Sequence, residues 1–145
     1  MIGLLQRVSE ASVHVDGERV GAIGAGLLVL VGVQPADREA NAERLLERLL
    51  GYRVFADGAG RMNRALRDTG GGLLLVPQFT LAADTRSGTR AGFSTAAAPA
   101  LAHALFVHLA DRARAAHGTV ATGRFGADMK VALVNDGPVT FWLEA

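Results

Sequence analysis

The sequence predicts a single α/β domain, residues 1–145, in which a mixed, curved, barrel-like β-sheet carries two main helices. Three observations lead there. Two segments of helical period, beginning near Asp37 and Pro99, are set among segments that alternate or run continuously apolar with β-branched residues. Glycines gather near the strand ends, where a curved sheet needs bulges and bends. The length of 145 residues suits one core, and no repeat, low-complexity stretch or linker divides it.

Each element follows from its local pattern. "ASVHVDGERVGAIG" sets Ala11, Val13 and Val15 against Ser12, His14 and Asp16, turns at Asp16-Gly17 and resumes with Val20 and Ile23. That is a hairpin with one buried face. "GLLVLVGV" from Gly26 fits a central strand, with Gly21, Gly24 and Gly26 marking a bulge or sharp bend at its start. After Asp37 the period changes: Ala42, Leu45, Leu46, Leu49 and Leu50 form one helical stripe, with Asp37 as N-cap and Gly51 as stop. "YRVFAD" reads as a strand, "DGAG" as a turn, and "DTGGG" as a second turn leading into "LLLVPQFTLAADT", Leu73–Thr85. Residues 84–98 lack any period and form a loop long enough to point to function. A second helix covers Pro99 to His117, with Leu101, Ala104, Leu105 and Leu109 facing inward. Strands near 119–125 and 129–135, the turn "NDGP" and a last strand "VTFWLEA" complete the chain.

Composition bounds the function. Half the residues are hydrophobic and 20% are charged, which places the chain among globular proteins. The absence of cysteine excludes disulfides, thiolate chemistry and cysteine-ligated zinc, and fits a reducing cytoplasm. The longest apolar stretch, Ile23 to Val33, is too short and glycine-rich to span a bilayer, and the N-terminus lacks signal-peptide features. A cytoplasmic protein with no membrane association is expected. Net charge is +1, so the whole chain is no electrostatic magnet for nucleic acid, although Arg53 to Arg90 holds six arginines against three aspartates. A charge cluster of this kind is ordinarily a solvated surface.

Few residues offer side-chain chemistry. His14, His103, His108 and His117 are scattered without metal-ligand spacing, so neither a metal nor another cofactor is expected. His14 fits the solvent face of a strand; His103 and His117 should face water, with His108 at the apolar margin of its helix. No nucleophile elbow, P-loop or dinucleotide fingerprint is present, and "GAIGAG" precedes a strand rather than opening a helix. Thr80 is a hydroxyl near a possible pocket, but no histidine or lysine lies nearby in sequence to activate it. Pro77, Gln78 and Thr80 are nonetheless odd company for an apolar run. A strand buried on both faces would exclude the proline and leave the glutamine amide needing partners. "NDGPVT", Asn135 to Thr140, is either an ordinary turn before the last strand or the seat of a cis Gly-Pro bond.

Several separated stretches agree in order and spacing with one family. "LLQRVSEASVHVDGE", "GYRVFAD" followed by "MN", "QFTLAADT" and "TGRFGADMKVALVNDGPVTF" resemble D-aminoacyl-tRNA deacylase of the bacterial and eukaryotic type, over essentially the full chain. The resemblance implies an enzyme that hydrolyses D-aminoacyl-tRNA, works as a homodimer and needs no cofactor. It implies an active site built across the dimer interface from a Ser-Gln-Phe-Thr motif and a Gly-cis-Pro pair. These fall on Pro77, Gln78, Phe79 and Thr80, and on Gly137 and Pro138. Arg7 matches the arginine that locks the Gly-Pro loop. Phe125, with Met129 in the same stretch, matches the lining of the pocket for the terminal adenosine of tRNA.

Two positions depart from the family pattern. Pro77 replaces the usual serine, and a Pro-Gln start resembles a related animal deacylase that removes L-alanine; Phe79 and "NDGPVT" agree with the D-specific branch. Ala91 stands where many relatives have proline and alters loop stiffness. The implied mechanism uses backbone N–H groups of Phe79 and Thr80 as an oxyanion hole, while the ribose 2′-hydroxyl or a held water attacks. The Gly137 and Pro138 carbonyls would capture the substrate ammonium and crowd an L side chain, leaving glycyl-tRNA as a second substrate. Three other readings are a noncatalytic RNA-binding module using the arginine-rich middle, a small-molecule esterase, and a deacylase of relaxed chirality acting on L-alanyl-tRNA.

Overall fold

Strand β1, Ile2–Val15, is the seam of the sheet because its 14 residues are long enough to take three partners. Its first half pairs antiparallel with β3 (Gly26–Gly32) and its second half with β2 (Glu18–Ile23), both on one edge. Its other edge pairs with β8, Lys130–Glu144. β3 then runs parallel to β6 (Gly72–Pro77), and β6 to β7 (Val120–Thr122). β4 (Phe55–Ala56) and β5 (Met62–Arg64) form a separate small hairpin. This computed structural model describes all residues, 1–145.

Backbone contacts through glycine nearly close the sheet into a barrel. A Cβ on Gly21 of β2 would stand 2.6 Å from the Thr122 carbonyl oxygen of β7, which brings the two end strands together. A Cβ on Gly26 would lie 1.9 Å from the Gly72 oxygen, where β3 and β6 enter side by side. The expected bend at these glycines is therefore a matter of close approach; the left-handed turn lies at Asp16-Gly17, with φ of 50° and 79°.

Two apolar layers result. Leu27, Val29, Leu73 and Leu75 face the larger core beneath α1 (Glu39–Gly51) and α3 (Pro99–Ala116), against Leu45, Leu49, Leu105 and Leu109. Leu28, Leu74 and Val76 point the other way, into a barrel interior shared with Val8, Val13 and Ile23. β3 and β6 are thus buried on both faces, which explains their unbroken apolar runs. A short helix α2, Leu66–Thr69, ends at Gly70 in the left-handed region and was not signalled by any period.

The stripe of α1 is the one expected: Ala42, Leu45, Leu46, Leu49 and Leu50 are buried. Asp37, however, is not its N-cap. The helix starts after Arg38, whose N–H donates to Asn41 Oδ1 at 2.8 Å. The Asp37 carboxylate instead accepts from the Gln34 N–H at 2.7 Å and from the Met1 ammonium at 2.6 Å, and that ammonium also donates to the Ala145 carbonyl. In α3, Ala104 is exposed and Leu101 half-buried; Ala102, Phe106, Ala110 and Ala113 complete the stripe with Leu105 and Leu109. His117 does not face water, since its Nε2 lies 2.6 Å from the Gly71 carbonyl oxygen. His108 sits half-buried, 3.2 Å from Glu43. "YRVFAD" enters a ladder only at Phe55–Ala56, because Arg61, Ala59 and Asn63 all donate to Asp57 and curl the chain there.

The largest difference concerns "NDGP". β8 does not break into two strands at a turn but keeps β1 as partner throughout, its register jumping from Asn135↔Val8 to Thr140↔Gln6. Residues 136–139 bulge out opposite Arg7 alone. β1 itself begins at Ile2, nine residues before the hairpin pattern becomes visible at Ala11.

No helix is long and apolar enough to cross a membrane. Gly26→Ala forces a side chain onto backbone and should destabilise the fold by about 3 kcal/mol or more. Gly24→Ala meets nothing within 4 Å and should stay within about 0.5 kcal/mol. Paired urea unfolding curves check the contrast.

Candidate active-site groove

The polar residues inside the apolar run lie where β6 ends. The Gln78 N–H donates to the Val31 carbonyl at 2.8 Å, so on β6 the preceding residue points its nitrogen toward β7. There the ladder has already finished at Gly123 N–H to Leu75 O. Pro77 therefore occupies the one position where a missing donor costs no ladder bond. The chain then tightens into a 3-10 turn, Phe79–Ala82, opened by the Leu81 N–H to Gln78 O bond. In such a turn the Phe79 and Thr80 amides precede Leu81, the first N–H with an acceptor inside the turn.

Residues 84–98, aperiodic in sequence, fold back over this turn. Asp84 and Gly92 exchange two backbone hydrogen bonds, Thr95 Oγ1 donates to the Ala82 carbonyl at 2.7 Å, and the Phe93 ring packs 5.0 Å from that of Phe79. The loop then bonds through the Ala97 N–H to Val33 O and enters α3. Between loop, turn and β8 lies a groove of about 690 Å³. Pro77, Gln78 and Phe79 form one wall, Phe93 and Ala96–Ala98 another, and Phe125, Met129 and Val131 the third. None of the lining side chains is charged, so the groove suits a flat uncharged group such as a nucleobase better than a phosphate. The Phe125 ring lies 6.5 Å from that of Phe106 and 4.8 Å from that of His103. The loop carrying it wraps Met129: a Cβ on Gly123 would be 2.8 Å from the Met129 sulfur, toward which the Arg124 N–H also points.

Arg7, Gly137 and Pro138 form a second constellation that does not line this groove. Arg7 Nη1 donates to the Val54 carbonyl at 2.6 Å and its Nε to the Asp136 carbonyl at 3.0 Å, with the Asp136 carboxylate 3.5 Å away. Asn135 braces the same bulge from within, donating to Thr140 Oγ1 and accepting from the Val139 N–H. The Gly137-Pro138 peptide is cis, with Gly137 at φ 132°, and both residues are exposed. Arg7 thus presents the two residues as a fixed projection from β8.

The structure therefore gathers Pro77, Gln78, Phe79, Phe125 and Met129 around one groove. Thr80 stands exposed beside it, and Arg7, Gly137 and Pro138 are placed elsewhere on the chain. Thr80 Oγ1 accepts a hydrogen bond from the Gln78 amide, which is no base. Phe93, Ala96–Ala98, Pro99 and Ala102 were not foreseen as site residues; the length of their loop was the only sign. No three His, Asp or Glu side chains converge to hold a metal.

The family model described as D-Tyr-tRNA(Tyr) deacylase matches residues 4–144. A D-aminoacyl-tRNA deacylase of Thioalkalivibrio sulfidiphilus is 71% identical over 99% of this chain and 97% of its own. That of Alkalilimnicola ehrlichii is 66% identical over 100% and 97%. Among solved structures, the c-Myc DNA unwinding element binding protein superposes with a TM-score of 0.95 at 34% identity, covering 100% of this chain and 99% of that one. A probable eukaryotic D-amino acid tRNA deacylase shares the fold at 0.79 and 18% identity, over 99% and 98%. Fold and full-length agreement define a deacylase, a hydrolytic enzyme. The chain belongs to the D-Tyr-tRNA(Tyr) deacylase family.

One charged group beside the groove is strongly perturbed. Hydrogen bonds from the Arg86 side chain, and then from its backbone N–H, bring the half-buried Asp84 carboxyl from the usual 3.8 to about 2. A depressed carboxylate favours the folded loop above pH 3.8, and that contribution disappears as pH falls through about 2. NMR titration should find Asp84 near 2, and Arg86→Ala should return it toward 3.8.

Proposed function

We propose that the protein hydrolyses the ester between a D-amino acid and the terminal ribose of tRNA, releasing free D-amino acid and tRNA. The reaction is a chiral proofreading step of translation and belongs in the cytoplasm. The observation that carries this reading is the uncharged groove that ends beside the exposed residues Phe79 and Thr80, without a nucleophile–base pair. The terminal adenine enters the groove against Phe125 and Met129, which sets the aminoacyl ester over the end of β6. An ester beside a 2′-hydroxyl is already activated, so positioning and charge stabilisation suffice. The Phe79 and Thr80 N–H groups take the developing oxyanion. Water attacks the carbonyl carbon with help from the 2′-hydroxyl, the bond to the ribose oxygen breaks, and that oxygen leaves with a proton.

The hand of the substrate is read by a second copy of this chain. Gly137 and Pro138 project from β8 and do not line the groove of their own chain. β8 pairs with β1 alone and leaves its other edge without a partner strand, and Trp142 and Val134 on it are 50% and 51% exposed, which supports an isologous homodimer. In it each projection enters the partner's groove. The Gly137 and Pro138 carbonyls hold the substrate ammonium and leave no room on the L side. Glycine has no side chain to exclude, so glycyl-tRNA, including glycine mischarged on tRNA(Ala), is a second substrate. Pro77 lacks the hydroxyl and N–H that the family serine offers, so L-alanyl-tRNA is the L-ester to test for relaxed chirality.

A binding-only reading is less well supported. Arg64 and Arg67, in the arginine-rich middle, are tied to the carbonyls of Asp68, Leu50 and Glu47 rather than left free for phosphate.

The test follows ester loss from one tRNA charged with D-tyrosine or L-tyrosine, alongside L-alanyl-tRNA and a no-enzyme control. Selective loss of the D-ester is expected; loss of all three would remove the chiral filter, and loss of none would leave a binding protein. Thr80→Ala should keep activity within about tenfold, whereas a drop of about a thousandfold in a folded variant would make Thr80 the nucleophile.

A further inference from the structure

His103 is the one histidine of the α3 region that the fold does not use. His108 meets Glu43 at 3.2 Å, and His117 meets the Gly71 carbonyl at 2.6 Å. His103 makes no such bond; its exposed ring lies 4.8 Å from Phe125, tilted by 34°. Phe106 stands 6.5 Å from Phe125, tilted by 41°. The three rings thus lead from the core, where Phe106 is 5% exposed, through the half-buried groove wall at Phe125, to solvent at His103.

We propose that His103 is the outer platform of this aromatic row and stacks the penultimate base of the tRNA 3′ end. The assignment rests on the proposed reading that the terminal base enters the groove at Phe125. The argument is one of spacing and solvent access. The 3′ end of a tRNA is single-stranded, and proteins hold such strands by stacking successive bases on successive aromatic side chains. A strand whose last base lies against Phe125 would leave the groove past this wall, beside which the exposed His103 stands. The groove lining supplies no charge to hold the phosphates, so added grip on the strand must come from stacking or from the rim. An imidazole suits the place, because every base has a π-face and the platform need not read sequence. His103 is therefore a positioning residue for the RNA strand and takes no part in the chemical step.

Two substrates separate this role from a structural one. D-tyrosyl-tRNA carries the penultimate nucleotide, whereas D-tyrosyl-adenosine does not. For His103→Ala, KM for the tRNA ester should rise about tenfold with kcat unchanged, as expected for loss of one base stack. KM for the adenosine ester should stay at the wild-type value. His103→Phe keeps a ring at the site and should restore the tRNA KM to within about twofold. An unchanged tRNA KM in His103→Ala would overturn the proposal. So would an equal rise for both substrates, since His103 would then act only by seating Phe125. If the wild-type protein cleaves neither ester, the underlying reading fails and this assignment goes with it.

Discussion

The site depends on β6 being buried on both faces. Leu73 and Leu75 enter the core under the helices while Leu74 and Val76 enter the barrel, so no side of this strand can accept a polar side chain along its length. Polar residues are admissible only where its ladder stops. Pro77 marks that stop, since its nitrogen points to a neighbour whose pairing has ended at Leu75. Gln78, Phe79 and Thr80 consequently emerge at one rim, the first two lining the groove and Thr80 exposed beside it. Crevices at the ends of parallel strands are a general consequence of the same constraint, because main-chain groups freed from a ladder are available to a ligand.

Arg7 performs the complementary task for the other half. It sits on the seam strand opposite the four-residue bulge in β8, and its guanidinium spans from Val54 to Asp136. A bulge alone would move; one held at Asp136 by one donor of a planar guanidinium whose other donor is anchored on Val54 keeps one orientation. Groove and projection are each rigid, yet they lie on different parts of the chain. That separation is the physical ground for the proposal that a second copy completes the site.

Much of this was legible in the sequence, and the reasons differ by element. The α1 stripe and the Asp16-Gly17 hairpin were readable because period and turn chemistry are local. The resemblance to a family brought together Pro77–Thr80, Phe125, Met129, Arg7 and the Gly-Pro pair, which no local pattern links. Asp37 was misplaced as a cap because its ionic partner, the Met1 ammonium that also donates to the Ala145 carbonyl, is distant in sequence. "NDGP" looked like a reversal because turn residues also serve bulges, and only the pairing with β1 distinguishes them. Phe93 and its alanine neighbours carry no periodic signal, since the loop is held by single contacts to Phe79, Ala82 and Val33. His103 looked like an ordinary solvent-facing residue; its position over Phe125 is a tertiary fact.

The central claim is that groove and projection meet only between two chains, and complementation tests it most directly. One variant loses the groove through Phe79→Ala and Phe125→Ala; the other loses the projection through replacement of Gly137 and Pro138 with two alanines. Each is measured for cleavage of D-tyrosyl-tRNA alone, and then the two are co-refolded in equal amounts. Two nearly inactive variants that together recover about a quarter of wild-type activity, as random pairing of a two-site dimer requires, would support the account. Absence of recovery in a mixture that forms folded heterodimers, or full activity of the projection variant alone, would contradict it.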